Sequence, residues 1–173
     1  DKNKWFLLGR ARYQSFPLLF YGIGSETSSD YLAVIDGKFS YFKERVLREI
    51  VPNLYTGLEL DIQILDQVSY KKIKNSFNKP IGGNGSVNVG LGWGIVFNNI
   101  HNILNPRKGI FSEWAFLNYS SNIGSDYQLT TLLSDNRFYI PVKSNNVLAF
   151  QILGQFTNGN PPFNLLSLMG GES

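Results

Sequence analysis

The segment from Ser86 to Asn98 limits the possible folds more than any other part of the chain. Val87, Val89, Leu91, Trp93, Ile95 and Phe97 alternate there with Ser86, Asn88, Gly90, Gly92, Gly94 and Asn98. Period-two alternation puts all the bulk on one face of an extended strand, whereas a helix would scatter it around its circumference. Glycine at three polar-face positions weakens a solvated strand and packs nothing. On the inner wall of a barrel it leaves room in the lumen for a loop or plug.

The same period recurs along the chain. Strands are expected at about Lys4 to Gln14, Lys38 to Glu49, Leu54 to Asp66, Ser86 to Asn98, Ile110 to Ser120, Tyr127 to Tyr139 and Val147 to Thr157. In the first, Leu7, Ala11 and Tyr13 oppose Arg10, Arg12 and Gln14. In the third, Leu58, Leu60, Ile62 and Ile64 oppose Tyr55, Gly57, Glu59, Asp61 and Gln63. In the last, Leu148, Phe150, Ile152 and Phe156 oppose Gln151, Gln155 and Thr157. The string FKERVLREI within the second also admits a short helix. Long loops are expected at Ser15 to Gly37 and Gln67 to Gly85, and tighter connections at Val51 to Asn53, Asn105 to Gly109 and Pro141 to Asn146. A short loop at Ser121 to Asp126 breaks this alternation of long and short, which is otherwise that of outer-membrane barrels.

Alternation alone fits either a sandwich or a barrel. In a sandwich the apolar face packs on a second sheet, and in a barrel it faces lipid. Three features favour an all-β, antiparallel transmembrane β-barrel. The strands approach the roughly 9–11 residues that cross a bilayer with tilt. Arg, Glu, Asp and Gln share the polar faces, as in a water-filled interior. Trp5, Tyr13, Tyr55, Tyr119, Tyr127 and Tyr139 sit near strand ends, where an interfacial girdle belongs.

Composition excludes other classes. No apolar run approaches the roughly 20 residues of a membrane helix, which rules out a helical inner-membrane protein and leaves the barrel open. A net charge of +3 is too small to imply nucleic acid, and the basic run Lys71, Lys72 and Lys74 reads as a solvated loop. With 0 cysteines there is neither a disulfide nor a thiolate metal site.

No catalytic constellation is expected, and no cofactor or metal. The single histidine, His101, lies in a turn among asparagines. Glu59 and Asp61 are two apart on one face, and in a lumen they would balance Arg10, Arg12 or Arg137, since buried charges need partners. Gly90, Gly92 and Gly94 lie within a strand and precede no helix, which argues against a phosphate loop.

Four motifs point to a family. Phe16 to Ser28, with Pro17 followed by Tyr21-Gly22-Ile23-Gly24, resembles a segment of Bacteroidetes members of the BamA/TamA (bacterial surface antigen) family. Asn105-Pro106-Arg107-Lys108-Gly109 resembles the family's NPxxG periplasmic turn. Asp135, Arg137, Tyr139 and Pro141 resemble its DxRxYxP strand end. Gly159 to Phe163 and then Gly170-Gly171 resemble the lead into its sixth extracellular loop.

The resemblance covers nearly the whole chain and implies a sixteen-strand barrel, of which these strands would be about five to eleven. It implies assistance to outer-membrane protein insertion or polypeptide translocation. The implied partners are outer-membrane lipid, unfolded outer-membrane protein clients and accessory lipoproteins. Asp135, Arg137 and Tyr139, on one strand face, read either as a structural lumen network near the periplasmic rim or, as the resemblance implies, as residues that help hold the inserted sixth loop. A passive pore or small-molecule transporter, or a barrel exporting or anchoring a lipase domain, fits the same fold. Seven strands cannot close a barrel, and the chain starts at Asp1 with neither initiator Met nor signal peptide. A barrel domain truncated at both ends is therefore expected.

Overall fold

The structure, a computed structural model, describes residues 4–24, 27, 30–74, 77–143 and 146–166. It contains one sheet of seven strands: β1 (Trp5–Phe20), β2 (Ala33–Val51), β3 (Leu54–Lys71), β4 (Ser86–Asn98), β5 (Gly109–Tyr119), β6 (Leu129–Pro141) and β7 (Val147–Gly159). Each strand pairs antiparallel with the next in sequence, giving a meander in the order β1 to β7. The sheet is open, since β1 and β7 do not pair with each other.

β4 runs over the residues its alternation predicts. β1, β2 and β3 run beyond expectation at the ends joined by residues 21–32 and 72–85. Leu18 faces Ile35 and Phe20 faces Ala33 in a continuous ladder, so much of the expected first loop is strand. Pro17 lies inside β1, whose far side is a sheet edge and so tolerates a residue without an N–H. Opposite Asp36 and Lys38 of β2 the register slips, with the extra residue on β3 between Asp66 and Ser69, where Gln67 has φ 50. This bulge swaps the faces, so that Tyr70 takes up the side begun by Glu59 and Asp61. Period-two reading stops at such a point. The string FKERVLREI is strand, paired with β1 on one side and β3 on the other.

Connections 21–32, 72–85 and 120–128 gather at one end of the sheet, called here the long-loop end, and 52–53, 99–108 and 142–146 at the other, the short-turn end, although 99–108 is slightly longer than 120–128. The two-residue turn places Asn53 at φ 69, and its N–H donates to the Glu49 carboxylate. In the 99–108 turn, Asn98, Asn99 and Asn102 accept backbone N–H groups from Ile100, Ile110 and Leu104. His101 is exposed there.

Burial inverts the usual order. The face bearing Arg45, Glu59, Asp61, Asn88 and Thr131 is buried. The face bearing Leu58, Leu91, Trp93, Phe116 and Phe150 is exposed, with Trp93 and Phe150 each at 50%. We call these the inner and outer faces. A small apolar core on the inner face joins Leu117, Tyr119, Leu129 and Leu165, flanked by Tyr127 and Leu133.

The expected aromatic girdle is largely overturned. Trp5 and Tyr13 are exposed, but Tyr55 pairs with inward Val96, and Tyr119 is buried over Gly90. Tyr139 shares the inner parity of Asp135 and Arg137, and Tyr127 packs on the inner core. The alternation along each strand decides which way a side chain near its end points.

Candidate functional site: the polar inner face

The centre of the inner face is an ion-pair network spanning four strands. Arg45 on β2 lies 2.7 Å from Glu59 on β3, and its other arm donates to Glu113 on β5 at 2.6 Å. Lys43 stands 3.7 Å from Glu59. The Arg45–Glu59 approach is a charge contact, because the guanidinium Nε–H is not aligned for a hydrogen bond. β2 and β5 are separated by two strands, so a flat sheet would hold their backbones about 14 Å apart. Arg45 and Glu113 bridge that span by reaching toward each other over β4 on the polar side of the sheet.

The glycines of β4 permit this crossing. A Cβ at Gly94 would collide with the Glu59 carboxylate. A Cβ at Gly90 would lie 2.6 Å from the Tyr119 ring, and one at Gly92 would meet the Phe116 carbonyl. The space expected to admit a loop or plug is filled by Glu59 and Tyr119 from the adjoining strands.

Asp61 forms a second hub, two residues along from Glu59. Gln63 donates to it at 3.1 Å, and the hydroxyls of Tyr41 and Tyr119 reach the same carboxylate. Glu59 finds its cations in Arg45 and Lys43, where the sequence suggested Arg10, Arg12 or Arg137. The true partners lie on the adjacent strand at matching register, Arg45 directly opposite Glu59. Their signal in the sequence, Lys43 and Arg45 at period two, is hidden within the string that also reads as a helix.

Asp135, Arg137 and Tyr139 share the inner face of β6. Arg137 donates from Nε and Nη2 to Asp135, the latter at 2.5 Å, and Gln151 on β7 donates to the same carboxylate at 3.0 Å. The Arg137 guanidinium lies 5.3 Å from the Phe111 ring centre. Pro141 ends the strand. This cluster borders the Arg45 network, since Asp135 lies directly opposite Glu113.

The turn motifs sit at the strand ends. Tyr21, Gly22 and Gly24 follow β1, with Gly22 at φ 109. Asn105 and Pro106 lie in the 99–108 turn. Gly109 opens β5 at φ 121, where a Cβ would come within 2.8 Å of Ile100. Gly170 and Gly171 lie outside the described residues. Two lysines of the basic run are paired, Lys71 with Asp36 and Lys74 with Asp30.

After β7 the chain turns inward. Phe163 donates its backbone N–H to Ile81, its ring lies edge-on to Phe20, and Leu165 enters the inner core. Tyr70 and Phe77 extend this aromatic cluster. Residues 160–166 thus cross the mouth of the inner face at the long-loop end and do not reach Arg137.

No family model, curated protein or solved structure matches this chain.

Proposed function

We propose that the chain is part of a transmembrane β-barrel of the BamA/TamA type in the outer membrane of a Gram-negative bacterium. The observation that carries the membrane reading is the reversed burial: Arg45, Glu59 and Asp61 are covered, while Leu58, Leu91, Trp93 and Phe150 are exposed. In water, this arrangement forgoes about 25 cal/mol for each Å² of apolar surface left exposed. Lipid against the outer face removes that cost, and pairing across a lumen offsets the desolvation of the charges. The shortest strand, β5, has 11 residues. At about 3.3 Å per residue it spans about 36 Å, and a tilt of about 45° reduces this to about 25 Å, the height of an outer-membrane apolar band.

In this reading the barrel assists insertion of outer-membrane proteins or translocation of polypeptide. Four motifs in the family's order support it, together with a segment after β7 that turns inward as a sixth loop would. The mechanism is non-enzymatic: a weak seam between the first and last barrel strands, with local membrane thinning, lowers the barrier for client strands. Its partners are outer-membrane lipid, unfolded barrel clients and accessory lipoproteins. Depletion of the protein tests this. Loss of newly assembled outer-membrane barrels is expected, and unchanged barrel biogenesis would reject it.

The charged inner face favours a second reading, a passive pore. That reading predicts solute-selective conductance in planar bilayers with no effect of depletion on barrel assembly.

A further inference from the structure

The outer face carries an apolar groove at its short-turn end. It measures about 610 Å³ and lies among the outward side chains of Ile110, Phe138, Phe150 and Ile152, with Asn99 and Pro141 at its end. The register builds it: Phe138 on β6 is directly opposite Ile110 on β5 and Phe150 on β7. It is an open trough along the sheet surface, with Phe150 half exposed, so an occupant would lie along it.

Two lysines adjoin in sequence the residues that end the groove. Lys108 immediately precedes Gly109, and Lys143 follows Pro141 by two residues; both side chains are exposed. Neither 99–110 nor 138–143 contains an Asp or Glu. An apolar trough with lysines adjoining one end matches an amphiphile with an acyl chain and an anionic headgroup.

We propose that this groove holds an acyl chain of an anionic glycerophospholipid, with its phosphate at Lys108 and Lys143. The inference rests on the membrane reading above, taken with the short turns on the periplasmic, phospholipid side as in outer-membrane barrels. It gives the barrel a fixed lipid beside β5, β6 and β7, where a uniform apolar face would exchange lipid freely.

The probe is phosphatidylglycerol bearing a photoreactive group in its acyl chain, mixed into phosphatidylethanolamine bilayers containing the full-length protein. Labelling should concentrate on peptides holding Phe138 and Phe150. The Lys108→Gln/Lys143→Gln variant should lower it roughly tenfold, and Lys71→Gln/Lys72→Gln at the opposite end should not. Even labelling of all outer strands, or undiminished labelling in the Lys108→Gln/Lys143→Gln variant, would overturn the groove while leaving the inserted barrel in place. Competition by an unfolded client peptide without lipid capture would mark it as a polypeptide site and equally overturn the proposal. Failure of the wild-type protein to enter bilayers, read by heat-modifiable mobility, would overturn this inference and the membrane reading together.

Discussion

Arg45 on β2 joins Glu59 on β3 at 2.7 Å to Glu113 on β5 at 2.6 Å, crossing β4 above a row of glycines. The guanidinium is 1% exposed and Glu59 equally buried, so its removal leaves two carboxylates without their main cation. Arg45→Ala should destabilise the protein by about 3–5 kcal/mol. Arg45→Met with Glu59→Gln and Glu113→Gln should recover much of that, because no buried charge is then left unpaired. Urea unfolding in lipid, followed by tryptophan fluorescence, measures both. A single variant as stable as wild type would contradict the network's role.

Side chains placed on the β4 glycines should break the same crossing. Gly94→Val drives a methyl into the Glu59 carboxylate, and an overpacked site costs about 1–3 kcal/mol. Gly92→Val should be worse, because the obstacle there is the Phe116 backbone carbonyl. The folded fraction after refolding into vesicles should fall in the order wild type, Gly94→Val, Gly92→Val.

The two faces should respond oppositely to charge. Trp93→Arg puts a cation in the outer apolar band, for which about 2–4 kcal/mol is expected at the midplane of a bilayer. Gln155→Arg, on the inner face, should cost under about 1 kcal/mol. Equal costs at both positions in bilayers would contradict a lipid-facing outer surface.

Arg137 separates a local from a functional role. Its side chain is 45% exposed, so loss of the Asp135 pair should cost no more than about 1 kcal/mol. If the β6 cluster holds the incoming sixth loop, Arg137→Ala should reduce barrel biogenesis in vivo far more than this small loss explains. Full complementation with wild-type folding would remove the role.

Lys74 ties the two long-loop segments together. Its ammonium lies 2.8 Å from Asp30 and 5.1 Å from the Tyr31 ring centre, and its backbone N–H donates to Leu32. The hydrogen bond from Lys74 holds the Asp30 carboxyl below its ordinary range. A lowered carboxyl pKa stabilises fully above the unfolded value near 3.8 and loses its effect as pH falls through the folded value. Proteolytic cutting in 21–32 should therefore stay flat from neutral pH to about pH 5. Lys74→Ala should raise it at every pH in that range.

The alternation of β4 was legible to the residue because nothing interrupts it. β3 was legible only to Asp66, because the bulge at Gln67 swaps its faces and a period-two count then reads loop. Pro17 and the glycines after it made the end of β1 look like a turn, although a sheet edge accommodates the proline. The polar inner face was visible as a list of residues, but its pairing was not. Which cation meets Glu59 depends on the β2–β3 register, a non-local quantity. Tyr55 already alternates with the polar set of Glu59 and Asp61, and Tyr139 with that of Asp135 and Arg137, so strand parity, readable without the register, turns them inward from the expected girdle. The outer groove had no sequence signal either, since Ile110, Phe138 and Phe150 meet only when three strands align.

The most direct test of the central claim uses the absence of cysteine from the sequence. Single Leu91→Cys, Trp93→Cys and Ile95→Cys variants place spin labels on the outer face of β4. Asn88→Cys and Val96→Cys place them on the inner face. In bilayers, the outer labels should relax with molecular oxygen and be shielded from a water-soluble nickel complex. The inner labels should show less oxygen contact. Outer labels that see the aqueous nickel complex as freely as a loop position would contradict a membrane-spanning sheet.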